Sequence, residues 1–148
     1  MMTLPTLDKI AGHYGQLIVK ESKDNKQHDR LDVFVTKALG VLQEQGVYAC
    51  MLFLYSRSDT EKTNARIVRE QLRAILPMLK DNYGIIWKNE NSNLVEVPPS
   101  AKDDKTAENV LNFYTDTVAR DLDTLLLVRD LYEQTLIYAR YGAKAAGE

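Results

Sequence analysis

Apolar residues recur at intervals of three and four along most of this chain, the spacing by which a helix buries one face. Leu7, Ile10, Ala11, Tyr14, Leu17 and Ile18 predict an amphipathic helix over residues 6–21 in spite of Gly12 and Gly15. The polar stretch SKDNKQHD, residues 22–29, reads as a loop. Leu31, Phe34, Val35, Ala38, Leu39 and Leu42 then define a second helix, which Gly46 is placed to stop because glycine accepts the left-handed conformation beyond a helix end.

The run VYACMLFLYS, residues 47–56, is apolar on all sides, so its period does not separate a buried strand from a buried helix. Alanine, leucine and methionine favour the helix. Ser58 and Glu61 have capping-box spacing and open a helix whose apolar face is Ala65, Val68, Leu72, Ile75, Leu76 and Leu79. Pro77 lacks an amide hydrogen and predicts a kink or an end there.

Residues 81–100 differ in kind. YGIIWK and LVEV are short apolar runs around the polar turn NENSN, a pattern compatible with a β-hairpin anchored by Trp87. Beyond Pro99 the helical period returns through Val110, Leu111, Tyr114, Val118, Leu122, Leu125, Leu126, Tyr132, Leu136 and Ile137. One unbroken helix of about 40 residues would span about 60 Å, so a break is expected near residues 115–117, with Asp116 as a cap for the second piece. The predicted fold class is all-α: one domain over residues 1–148, a compact helical bundle of about five to six helices, with room for a small β-hairpin insertion around residues 84–97.

Charge sharpens one element. Lys62, Arg66, Arg69 and Arg73 follow at spacings of four, three and four, so on a helix they form one narrow basic stripe, about 16 Å long and about 100° from the apolar face. The chain carries a formal net charge of −2, so this positive charge is localised. Such a row can follow the phosphates of a nucleic-acid strand, and arginine's planar fork suits phosphate better than lysine does. A solvated helix face serving solubility is the competing account. Tyr132, Tyr138 and Tyr141 near Arg140 and Lys144 have the composition of a base-stacking surface beside phosphate-binding cations, though ordinary helix packing explains them too.

Other chemistry finds little support. The acids mostly alternate with bases on helix faces, and Asp121, Asp123 and Asp130 read as solvated charges. His13, expected partly buried, and His28, expected in a loop, lie far apart, which leaves no metal-ligand spacing. Cys50 sits among Ala49, Met51 and Leu52, with no base to activate it, and reads as a buried structural thiol. The glycines form neither a phosphate-binding loop nor a dinucleotide fingerprint. No cofactor, metal or catalytic residue is expected. A single cysteine fits a reducing compartment, and the nine-residue apolar run is far short of the ~20 that span a bilayer, so a cytoplasmic protein without a membrane role is expected. The amino-terminal residues likewise lack the pattern of a signal peptide.

Three stretches together resemble one family. RLDVFVTKALGVLQEQGVYACMLFLYSRS is similar to the helix, glycine turn and apolar helix of the small helical subunit of type III CRISPR RNA-guided effector complexes. NARIVREQLRAIL stands where that family has its next amphipathic helix, and LLLVRDLYEQTLIYARYGAKA resembles its closing helix with an aromatic and basic ending. The resemblance implies a non-catalytic helical-bundle protein present in more than one copy. It would partner other effector-complex subunits and line the channel that holds guide RNA and target RNA. Phosphate contact would then fall to Lys62, Arg66, Arg69 and Arg73, with Arg140 and Lys144 as a second patch. The alternative is a small helical adaptor or chaperone that binds protein and no nucleic acid.

Overall fold

The computed structural model describes residues 6–99 and 104–147, and among these the regular structure is entirely helical. The helices are α1 (Leu7–Asp24), α2 (Leu31–Gln45), α3 (Val47–Tyr55), α4 (Lys62–Tyr83), α5 (Asp104–Phe113) and α6 (Leu122–Ala146). Single 3-10 turns at His28–Arg30 and Asp59–Glu61 lead into α2 and α4. One continuous apolar cluster draws on all six helices and on Trp87.

Helix α1 begins where the Thr6 hydroxyl accepts the Lys9 N–H, at 3.1 Å, and it runs three residues past the predicted end at residue 21. It packs alongside α6 in the same direction: Gly15 lies against Thr135 and Ala139, and Val19 against Gly142. A Cβ on Gly15 would sit 2.9 Å from Cβ of Tyr138 and 3.1 Å from the Thr135 carbonyl, so only glycine lets the two backbones approach this closely. Helix α2 runs opposite to α6, and Arg129 donates to the Gln43 carbonyl at 3.0 Å where the end of α2 meets the start of α6. The buried Ser22 hydroxyl donates to Oδ1 of Asn64 at 2.8 Å, tying the end of α1 to the beginning of α4.

Residues 47–56 are resolved in favour of helix. Val47, Cys50, Met51 and Leu54 of α3 are buried, whereas Tyr48 and Leu52 face outward despite the uniformly apolar sequence. The Ser58–Glu61 capping box does not form. Ser58 makes no cap bond, and the Glu61 carboxylate turns to Lys37 at 2.9 Å and Arg57 at 3.7 Å, since two nearby cations outcompete a backbone amide. Pro77 does not end α4, which continues to Tyr83 and closes at Gly84 with φ of +68°. Gly84 N–H bonds the Lys80 carbonyl and Ile85 N–H reaches back to the Leu79 carbonyl, both at 3.2 Å, a wider closure that takes up carbonyls at the end of the helix.

The break predicted near residues 115–117 is a π-helical segment, Tyr114–Val118, in which Ala119 N–H bonds the Tyr114 carbonyl at 2.9 Å. Asp116 caps nothing. Asp121 starts α6 by accepting the Thr124 N–H at 3.1 Å and its hydroxyl at 2.6 Å, bonds that hold its carboxyl below its ordinary pKa. The wider π turn absorbs the extra residues and shifts the usable cap five positions onward.

Residues 84–99 form a strap across the bundle. Its two arms meet at a single antiparallel bridge, Lys88 to Leu94, and no strand is formed among the described residues. Val95 N–H donates to the Trp87 carbonyl at 2.9 Å, but the Asn89 side chain takes the N–H groups of Asn91 and Asn93, and Pro98 and Pro99 have none to offer. The ladder therefore stops after one rung. The arms still alternate: Ile85, Trp87, Val95 and Val97 pack inward, while Ile86 and Leu94 are 64% and 77% exposed. Trp87 is the anchor, 2% exposed and edge-on to Phe113 with ring centroids 5.5 Å apart.

Candidate nucleic-acid interface

The four cations predicted as a stripe do lie along α4, but their surroundings divide them. Lys62 and Arg66 are exposed. Arg69 is partly buried, its guanidinium 4.5 Å from the ring centre of Tyr55 at the end of α3, with Nε lacking a partner. Arg73 is fixed on both sides: Nε donates to Glu70 at 3.4 Å and Nη1 to the Pro98 carbonyl at 3.2 Å. The sequence spacing is correct, yet one member is shelved on an aromatic ring and another ties down the strap. The face available to a diffusing anion is Lys62 and Arg66, extended by whatever Arg69 offers beyond its ring, over about 10 Å of helix.

Two cations that sequence reasoning passed over adjoin the start of α4. Arg57 lies 4.3 Å above the Phe53 ring and donates through Nε to the Phe53 carbonyl at 3.2 Å. The placement of Arg57 four residues after Phe53, just past the end of an apolar helix, is the sequence signal for it. Lys37 arrives from α2, paired with Glu61, and nothing local in the sequence announces that. Between the starts of α2 and α4 lies an open cleft of about 400 Å³ lined by Arg30, Val33, Phe34, Lys37, Glu61 and Asn64, among others.

Arg140 and Lys144 lie one turn apart on α6. Lys144 is exposed, whereas Arg140 is partly buried with an unpartnered Nε, and among the described residues no hydrogen bond or ion pair links either to the α4 cations. The tyrosines do not assemble into a stacking surface. Tyr132 is buried, sharing a 2.6 Å hydroxyl contact with buried Tyr114, and burial raises the pKa of both phenols. Tyr138 packs over Gly12 and Gly15 and donates its hydroxyl to Asp8, a bond that keeps the phenol protonated. Only Tyr141, 67% exposed, remains available for stacking.

Of the residues considered for other chemistry, Cys50 is fully buried, donates weakly to the Ala38 carbonyl at 3.6 Å, and has its thiol pushed up to about 12 by burial. His13 is exposed, edge-on to Tyr14 at 5.0 Å, where the sequence led us to expect partial burial. His28 lies in the 3-10 turn ahead of α2 and not in an open loop. Among the described residues no group of three or more histidine, cysteine or acidic side chains is placed to hold a metal ion, and no helix is long and apolar enough to cross a membrane. No family model, curated protein or solved structure matches this chain.

Proposed function

We propose that this protein is a non-catalytic, helical, RNA-associated subunit of a type III CRISPR interference complex. In this reading it holds the backbones of guide RNA and target RNA through phosphate contacts, without reading bases. The observation that carries the reading is the exposure of Lys62 and Arg66 on one flank of α4, directly N-terminal to an arginine pinned on Tyr55. An arginine already immobilised on a ring loses less side-chain freedom on meeting a phosphate than a free one does. Lys144 and Arg140 form a lesser, separate patch. The work is electrostatic, and any cleavage of RNA belongs to other subunits.

Assembly partners are a second part of the proposal. Leu122 and Leu126 of α6 and Tyr48 and Leu52 of α3 are exposed, and a groove lined by Gln43, Glu44 and Gln45 at the end of α2, by Gly46 and Val47, and by Leu125, Leu126 and Arg129 of α6 lies nearby. Apolar side chains around a groove fit a protein neighbour, either another copy or another subunit. The same feature favours the second reading, a helical adaptor that binds protein alone.

Salt dependence of binding to single-stranded RNA separates the two. An RNA-associated subunit loses affinity steeply from low to physiological salt, and Lys62→Glu with Arg66→Glu abolishes most of the binding while helicity is unchanged. Equal RNA retention by the folded double variant would remove α4 from the interface and leave the adaptor reading.

A further inference from the structure

The strap is held to the bundle by two arginines that come from different elements. Arg120, between the π segment and α6, donates through Nη1 to the Asn89 carbonyl at 3.0 Å near the turn. Arg73, from α4, donates through Nη1 to the Pro98 carbonyl at 3.2 Å at the other end. Between these two points the arms share one bridge and rest on Trp87, whose Nε1 is buried without a partner. A buried unpaired donor costs free energy that a lifted strap recovers from water. Apart from the apolar packing of Trp87, Ile85, Val95 and Val97, the strap's side-chain holds on the bundle among the described residues are these two arginines, and the C-terminal one is a member of the basic stripe.

We infer that Arg73 is a latch that couples phosphate binding on α4 to release of the strap. The inference rests on the proposed RNA role and deepens it by naming the segment that responds. Its chemistry follows from the guanidinium fork. Arginine grips a phosphate through two adjacent N–H donors, either Nε with Nη2 or Nη1 with Nη2. Glu70 holds Nε and Pro98 takes one of the two Nη1 N–H groups, so a phosphate that draws the guanidinium outward pulls it from one of these partners.

The two displacements are not equal. Arg73 and Glu70 are each only 18% exposed, and Glu70 Oε1 already lacks a partner, so moving Arg73 away from Glu70 leaves a poorly hydrated carboxylate. The Pro98 carbonyl is neutral and its residue only half-buried, so losing a donor there costs less than unpairing the carboxylate. Phosphate takes the Nη1–Nη2 edge, and the strap loses its C-terminal hold. Ile86 and Leu94, already exposed, then move with a freed segment that carries Val95 and Val97 out of contact with the core.

Hydrogen exchange on the full chain tests this, following the Asn89 and Val95 amides, which bond to the Asn93 and Trp87 carbonyls. Without RNA, Arg73→Ala speeds their exchange about tenfold while α1 and α2 amides are unaffected, the effect of removing one charge-assisted hydrogen bond. Poly(U) RNA added to the wild-type chain produces the same acceleration, and added to Arg73→Ala it produces none beyond that already present. Arg120→Ala loosens the strap but keeps its response to RNA, which identifies Arg73 as the coupling residue. Should Arg73→Ala fold poorly, Arg73→Lys keeps the charge but lacks the fork, and its strap amides still exchange faster than in the wild type. RNA that binds in a polarisation assay without loosening the strap overturns the coupling and leaves the RNA role standing. Absence of binding at low salt overturns both, even if Arg73→Ala loosens the strap.

Discussion

The hydroxyls of Tyr114 and Tyr132 lie 2.6 Å apart in the middle of the bundle, each the other's hydrogen-bond partner. They come from the π segment and from α6, so the pair fixes how the widened turn seats on the closing helix. Tyr132→Phe leaves the Tyr114 hydroxyl buried and unpaired, which costs about 1–3 kcal/mol. Replacing both by phenylalanine removes donor and acceptor together and costs less than either single change. Urea unfolding of the three variants reads this as a coupling energy, and additive losses would show that the hydroxyls do not depend on each other.

Glycines in two helices are expected to respond in opposite directions. Gly15→Ala forces α1 away from α6, because the new methyl meets Tyr138 and the Thr135 carbonyl, and it lowers stability by about 1–3 kcal/mol. Gly40 lies inside α2 with nothing within 4 Å of its added Cβ, so Gly40→Ala raises stability by about 0.5–1 kcal/mol through helix propensity. Thermal melts of the two variants provide the comparison.

Charge reversal on α4 separates binding from folding. Lys62→Glu with Arg66→Glu leaves the fold intact and flattens the dependence of RNA affinity on salt by about 1.4 in log–log slope, about 0.7 for each lost contact to a single strand. Arg73→Glu behaves differently, since it places a carboxylate beside Glu70 and releases Pro98. It destabilises the chain before any question of RNA arises. Circular dichroism beside a salt titration distinguishes the two effects.

The Cys50 thiol is silent at neutral pH. Burial raises it from about 9 to about 12, so the folded chain keeps a proton that the unfolded chain releases above pH about 9. The unfolded state then binds fewer protons, and stability falls as pH rises from about 9 toward about 12; below that window this thiol adds no pH dependence. A disulfide reagent at pH 8 labels Cys50 only at the rate of opening, which urea accelerates. Labelling as fast as a free thiol in the native state would contradict the burial.

How much of this was legible in advance differs by element. The apolar faces of α1, α2 and α4 could be read from spacing alone, because a helix turns by a fixed angle per residue whatever surrounds it. The thiol's burial followed from its immediate neighbours. Asp121 was less accessible: Asp116 is an equally good cap by composition, and only the π segment, stabilised where Tyr114 meets Tyr132, moves the start of α6. The strap showed its alternation and its anchor, Trp87, but how far its arms would pair depended on where Asn89 sent its side chain.

The sequence by itself determined a helical protein, the faces its helices bury and the alignment of Lys62, Arg66, Arg69 and Arg73 along one of them. Only the tertiary structure decided which of those cations stay free. Arg69 is taken by Tyr55 from another helix, and Arg73 by a carbonyl 25 residues away. The physical reason is one of range. Periodicity is a property of local backbone geometry, whereas the partner of a charged side chain depends on which distant segments the packed core brings beside it.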